Sequence, residues 1–206
     1  MSIIEKYQLR ANQRKMGKIM DKYCRHLDAR EFLDAIKVGQ KERPQSKPFH
    51  DACNVLIYIR ASLKDTFMAY KVFFICNNPE ERNLHLRTLV NHIWEFVRKV
   101  EKQIDKPLDV FQTVFGTDES VKTHIANIRL YYSLVSAKVD LMREIRNTAS
   151  AHKDTDVSKQ FQVMDNIDEN MFDLSMVWLQ AIAVSIILLQ RAIHKEALRI
   201  TFKQTN

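Results

Sequence analysis

The sequence predicts an all-α fold, an antiparallel bundle of about five long helices forming a single helical domain over residues 1–206. Three observations carry that expectation. The 206-residue chain holds only 3 Gly and 4 Pro, where average usage would give roughly 14 and 10. Turns, hairpins and bulges consume these residues, so they must be few, which disfavours all-β and many-stranded α/β folds. Apolar residues recur at three- and four-residue steps over long stretches, the period of a helix that buries one face. No strand-length run of alternating apolar and polar residues stands out. With 46% hydrophobic residues, the chain has material for a sizeable core and is not a disordered polymer.

The elements follow in order. The first helix is expected at about 3–38, with Met16, Met20, Tyr23 and Leu27 on one stripe. A break is expected at Asp28, where Glu31 follows three residues on, as in a capping box. Gly39, Pro44 and Pro48 bracket a polar loop from Gln40 to Lys47. The second helix, at 49–76, carries Leu56, Ile59, Leu63, Phe67, Tyr70 and Phe74. The third, at 79–104, opens on Asn78-Pro79-Glu80-Glu81: Asn caps, Pro takes the first position, and the acids face the positive end of the dipole. Its stripe is Leu86, Leu89, Ile93, Val97, Val100 and Ile104. Pro107 and Gly116 bracket a short element. The fourth helix, at 118–150, steps through Val121, Ile125, Ile128, Tyr132, Val135, Val139 and Met142. A polar turn from Lys153 to Ser158 leads to the fifth, at 158–203, with Met164, Ile167, Met171, Leu174, Trp178, Ala181 and Leu188 as its stripe. Short loops between long helices imply antiparallel neighbours.

Leu174 to Gln190 contains no charged residue. It falls short of the ~20 mostly apolar residues of a spanning helix and reads as a buried helix, so no membrane partner is expected. The N-terminus lacks the apolar core of a signal peptide. The three cysteines, Cys24, Cys53 and Cys76, include no CxxC pair and suit a reducing cytoplasm.

The net charge of +7 is uneven: residues 1–47 hold 12 Lys/Arg against 6 Asp/Glu, and residues 48–206 hold 20 against 19. The chain therefore divides into a basic N-terminal helical extension, 1–47, and a bundle, 48–206. Arg10, Arg14, Lys15 and Lys18, with Lys22 and Arg25, fit either a solvated helix face or contacts to the phosphate backbone of RNA.

Most enzyme signatures are missing. Three glycines cannot build a phosphate-cradling loop, and neither HExxH nor GxSxG occurs. No cofactor is expected, and no metal. His85 and His92 share a face with Glu81 one turn before, which fits either a ligand row or, more commonly, polar residues flanking a buried stripe. The informative segment runs from Leu141 to Asp154. The fourth stripe calls for an apolar residue four after Met142, yet Arg146 stands there, and Ala149 then continues the pattern. A guanidinium on a core seam must be paired or face a cleft or interface, because burying it alone is costly. Thr148, Ala149, Ser150 and Ala151 are small and leave room beside it, and His152 ends the helix.

This segment resembles the RX4-6H motif of the HEPN superfamily, all-α bundles that include many metal-independent ribonucleases of toxin–antitoxin, abortive-infection and phage-defence systems. The spacing also occurs at Arg43 to His50 and Arg87 to His92. Only Arg146 to His152 has the family's surroundings: Asn147 after the Arg, small residues, Ala151 before the His, Lys153-Asp154 after it, and a long amphipathic helix leading in. The resemblance implies a HEPN-like bundle that cleaves RNA by attack of its 2′-hydroxyl. Arg146 would stabilise the charged phosphorus, His152 would move the proton, and Asn147 and Asp154 would orient or bind substrate. It further implies a homodimer with a composite cleft and an antitoxin or regulatory protein as a possible partner. Alternatives remain open on the residues themselves. Arg146 fits an internal ion pair with Glu101 or Asp173, His152 fits a C-terminal helix cap, and the whole chain fits a non-catalytic helical module that binds RNA or a protein.

Overall fold

A computed structural model describes residues 3–28, 47–115, 118–138, 140, 143, 146–147 and 169–204. Six helices are described: α1 Ile3–His26, α2 Lys47–Ile75, α3 Pro79–Glu101, α4 Asp105–Phe115, α5 Glu119–Ser136 and α6 Glu169–Gln204. No strand occurs among the described residues, so the all-α bundle expected from the scarcity of Gly and Pro is the observed fold.

The bundle is organised around α2, which packs against α1, α3 and α4, while α5 and α6 form the closest pair. The core face of α2 is the expected stripe: Leu56, Ile59, Leu63 and Phe67 are fully buried and Tyr70 nearly so. Each such side chain contributes about 1.5–3 kcal/mol by leaving water. Phe67 meets Tyr23 of α1 at 5.5 Å between ring centroids, and Phe49 sits edge-on to Phe111 of α4 at 5.8 Å. Met20, Cys24 and Leu27 bring α1 into the same core. The α3 stripe from Leu86 to Ile104 is buried throughout.

Helix ends follow local chemistry. Asn78 precedes Pro79, and its carbonyl accepts from Arg82 N at 2.8 Å, closing the first turn of α3. Asp118 caps α5, its carboxylate accepting from Ser120 N at 2.7 Å and Val121 N at 3.1 Å.

The short element expected between Pro107 and Gly116 is a helix of its own, α4, beside five longer ones. Two expectations need correction. The helix expected at 118–150 is not continuous: α5 stops at Ser136, and Lys138 N bonds Val135 O at 3.0 Å. That i→i−3 bond tightens the last turn in 3₁₀ fashion. Helical backbone is described again at Asp140, Arg143, Arg146 and Asn147. The second is the buried face of α6. Leu174 is 53% and Leu188 36% exposed, whereas Met176, Leu179, Ile182, Ala183, Ile186, Leu189 and Ile193 are buried. The middle of α6 is apolar all round, so spacing alone does not identify the face that turns inward. The segment Leu174–Ile193 is long and apolar enough to cross a membrane by length and composition, and half of it is buried against the bundle. Of the loop expected from Gln40 to Lys47, residues 40–46 lie outside the described residues and Lys47 already belongs to α2, and the start of the fifth helix at 158 also lies outside them.

Candidate functional site

Arg146 lies where the fourth stripe would have placed an apolar side chain, and the structure shows what accommodates it. Its guanidinium carbon sits over the indole ring of Trp94 on α3, 4.0 Å from the ring centroid. Arg98 approaches the same ring at 5.9 Å and pairs with Glu101 at 3.7 Å. The cation is half-buried, and the negative face of the indole takes part of the place of water around it. One turn earlier Arg143 pairs with Asp140 at 3.3 Å, both well exposed. Asn147 follows Arg146 and is exposed. His152 and Asp154 lie outside the described residues.

Beside this spot Tyr132 of α5 donates its hydroxyl to Val97 O of α3 at 2.8 Å. Burial raises the phenol above its ordinary range, and the carboxylates of Glu101 and Asp105 add to the rise. The hydroxyl is thus a fixed neutral donor that joins α3 to α5. Trp94 was not singled out in the sequence. It is adjacent to the buried stripe residue Ile93, but no local pattern links it to a residue on a distant helix.

The other two matches to the Arg…His spacing sit differently. His50 is buried at 6% exposure and stacks edge-on against Phe49 at 5.9 Å, while Arg43 lies outside the described residues. Arg87 and His92 are half-buried in mid-α3.

The second feature is the outer face of α1. Arg10, Arg14, Lys15, Lys18, Lys22 and Arg25 are all exposed and span an arc of roughly 140° at helical spacing. The opposite face, with Gln13, Met20, Cys24 and Leu27, is buried. Asp21 and Asp28, which might have neutralised this arc, are engaged elsewhere: Lys71 of α2 holds Asp21 at 2.6 Å, and Lys64 of α2 holds Asp28 at 3.6 Å. None of the six cations has an acidic partner among the described residues. Lys64 and Lys71 of α2 thus engage Asp28 and Asp21, and the six cations face solvent.

Sequence reasoning also missed Arg60 of α2, which is only 6% exposed. Its guanidinium donates to His26 O at 2.6 Å, Asp28 O at 2.9 Å and Leu27 O at 3.3 Å, and to Gln190 Oε1 of α6. It caps the C-terminal carbonyls of α1 and ties three helices together. Its signal was present: Leu56, Arg60, Leu63 and Phe67 fall at helical spacing, with a cation in an otherwise apolar row.

For metals, an open groove of about 370 Å³ between α2 and α3 is lined by Asp65, Met68, Ala69, Val72, His85, Thr88 and His92. His85 and His92 thus share a groove, as their spacing implied. Among the described residues no three His, Cys, Asp or Glu side chains converge closely enough to hold an ion. Cys24, Cys53 and Cys76 are free thiols.

Compared with protein-family models, curated proteins and solved structures, the chain matches none of them.

Proposed function

We propose that this chain is a metal-independent endoribonuclease of HEPN type, a toxin or phage-defence effector that acts on RNA as a homodimer in the cytoplasm. The observation that carries the reading is Arg146. It is a half-buried cation on a seam position, supported by the Trp94 ring and followed by an exposed Asn147. The indole face stabilises the cation where it stands, and a guanidinium held at a half-buried position matches the forked geometry of a phosphate.

The chemistry needs little else. The RNA supplies its own nucleophile. His152 takes the 2′-hydroxyl proton, the oxygen attacks the adjacent phosphorus, and the bond to the 5′-oxygen breaks. That oxygen leaves with a proton, so the products are a 2′,3′-cyclic phosphate and a 5′-hydroxyl. Arg146 neutralises charge on the phosphoryl oxygens as it grows, and Asn147 and Asp154 orient the substrate. An antitoxin or other regulatory protein would restrain such an activity. The test is RNA cleavage in chelator by the wild type, Arg146→Ala and His152→Ala. Removal of an electrostatic stabiliser typically costs about 10²–10³-fold in rate, and each variant should lose at least that much. Cleavage at equal rates by all three, or by none, contradicts the reading.

A second reading, a non-catalytic RNA-binding module, is favoured by the unpaired cations of α1. It predicts RNA affinity that falls steeply with salt. Neutralising Arg10, Arg14, Lys15 and Lys18 together should flatten that slope by up to about four phosphate contacts' worth. An unchanged slope removes α1 as the RNA surface.

A further inference from the structure

The helix α6 has two apolar faces, and among the described residues only one of them is buried in the bundle. The inward face carries Met176, Leu179, Ile182, Ala183, Ile186, Leu189 and Ile193. About 180° away on the helix lies a second row. Leu174, Val177, Val184 and Leu188 are 53%, 58%, 39% and 36% exposed, with the partly exposed Ala181 at its centre. The steps are three, four, three and four residues, the spacing by which one helix seats against another. The row covers about 21 Å of helix without a charged residue from Leu174 to Gln190. A helix on the outside of a bundle ordinarily turns a polar face to water, so this one is built to be covered.

Charge indicates the occupant. Just past the row the outer face continues with Arg191 and Lys195, both exposed. In the sequence just before it stand Glu169 and Asp173, and no Lys or Arg occurs between Gln160 and Gln190. The helix is thus acidic before the row and basic after it. A second α6 lying antiparallel would bring basic against acidic at both ends, whereas a parallel one would set like against like. The row is also nearly palindromic about Ala181, with Val177 and Val184 flanking it and Leu174 and Leu188 beyond. A small residue at the centre allows the two backbones to approach closely.

We infer that two copies of this chain associate through the outer face of α6, antiparallel, on a two-fold axis near Ala181. Leu174 then packs against the partner's Leu188, Val177 against the partner's Val184, and Arg191 lies beside the turn that carries Asp173 of the partner subunit. The interface is isologous, as a two-fold requires. It is a single-helix seam, smaller than an obligate dimer interface, so the association is reversible. The inference draws on α6 alone and is independent of whether RNA is cleaved.

The experiment uses the full chain. Sedimentation equilibrium from low-micromolar to submillimolar concentration should show a reversible monomer–dimer equilibrium. Val177→Glu with Val184→Glu, both on the water-facing side, should give monomer throughout while leaving the helical circular dichroism spectrum unchanged. Orientation is read by cysteine cross-linking in a Cys76→Ser background. Ala181→Cys should oxidise to a disulfide-linked dimer. Leu174→Cys alone should not, because antiparallel packing sets the two copies of residue 174 about 21 Å apart, far beyond disulfide reach. Leu174→Cys combined with Leu188→Cys should cross-link again. A wild-type monomer at every concentration overturns the inference, including one that instead binds anionic vesicles or another protein through this face. So does a dimer indifferent to the two glutamates, or cross-linking of Leu174→Cys as efficient as that of Ala181→Cys.

Discussion

Two arginines replace expected core residues in this bundle, and their surroundings differ in kind. Arg60 is enclosed, 6% exposed, with its donors directed to three backbone carbonyls at the end of α1 and to Gln190. Burial lowers its affinity for the proton, and the carboxylate of Asp28 opposes that effect. Arg146 is half-buried and is supported by an aromatic face at 4.0 Å. The lesson is that a cation on a core seam signals a special environment without saying which one. What surrounds the guanidinium separates the two. Arg60 spends its donors on main-chain carbonyls and Gln190 inside the fold, whereas Arg146 stands half-buried against an aromatic face, the more accessible setting of the two.

That contrast predicts different consequences on mutation. The largest effect is expected from Arg60→Ala, which strands the α1 carbonyls and Gln190 without their donor. A loss of about 3 kcal/mol, or roughly 6–12 °C in melting temperature, should appear in urea and thermal unfolding. Arg60→Lys should recover little of it, because an ammonium on a flexible stem cannot reproduce the fork. A change below about 1 kcal/mol would show that the network is dispensable.

The dry surroundings of α2 give a second test, through pH. Burial pushes the Cys53 thiol from 9.0 up to about 12. The fold thus favours the neutral thiol. Its contribution is complete below the unfolded value of 9.0 and is lost as pH rises toward about 12. Over that window the unfolded chain has given up a proton that the folded chain still holds, so stability falls with pH. The slope is at most about 1.4 kcal/mol per pH unit for this group. Urea unfolding at pH 8 and pH 10 should show the fall, smaller in Cys53→Ala than in the wild type. Equal falls would show that Cys53 contributes nothing to the pH dependence.

The smallest effect concerns the Trp94–Arg146 contact itself. A double-mutant cycle with Trp94→Leu and Arg146→Met should return a coupling of about 0.5–1 kcal/mol, the range for a partly exposed cation–π pair. A coupling indistinguishable from zero would make the ring a neighbour rather than a support.

Much of the fold was legible because α2 and α3 carry one apolar stripe each, bounded by clear signals such as Asn78-Pro79. The end of α5 was not, since Ser136-Ala137-Lys138 contains neither Gly nor Pro and the stop is only a shift from i−4 to i−3 bonding. The inward face of α6 was not legible either, because Leu174 and Met176 are equally apolar while only Met176 is buried. At the candidate site, Arg146 was found as a break in the Val121–Met142 row. The identical break at Arg60 passed unread, as did Trp94. Both acquire meaning only from contacts between distant helices, which no local period encodes. The basic arc of α1 was visible as charge. That it stays unneutralised depends on Lys64 and Lys71 of α2 holding Asp28 and Asp21, a tertiary fact.

The most direct test places both arginines in one experiment, with folding stability and RNA cleavage measured on the same preparations of wild type, Arg60→Ala and Arg146→Ala. Opposite profiles are expected. Arg60→Ala loses about 3 kcal/mol of stability yet, at low temperature where it is folded, cleaves RNA near the wild-type rate. Arg146→Ala stays within about 1 kcal/mol of wild type and cleaves at least about 100-fold more slowly. If the two variants lose activity only in proportion to the fraction unfolded, or if wild type leaves RNA intact, Arg146 is a structural residue like Arg60 and the ribonuclease reading is wrong.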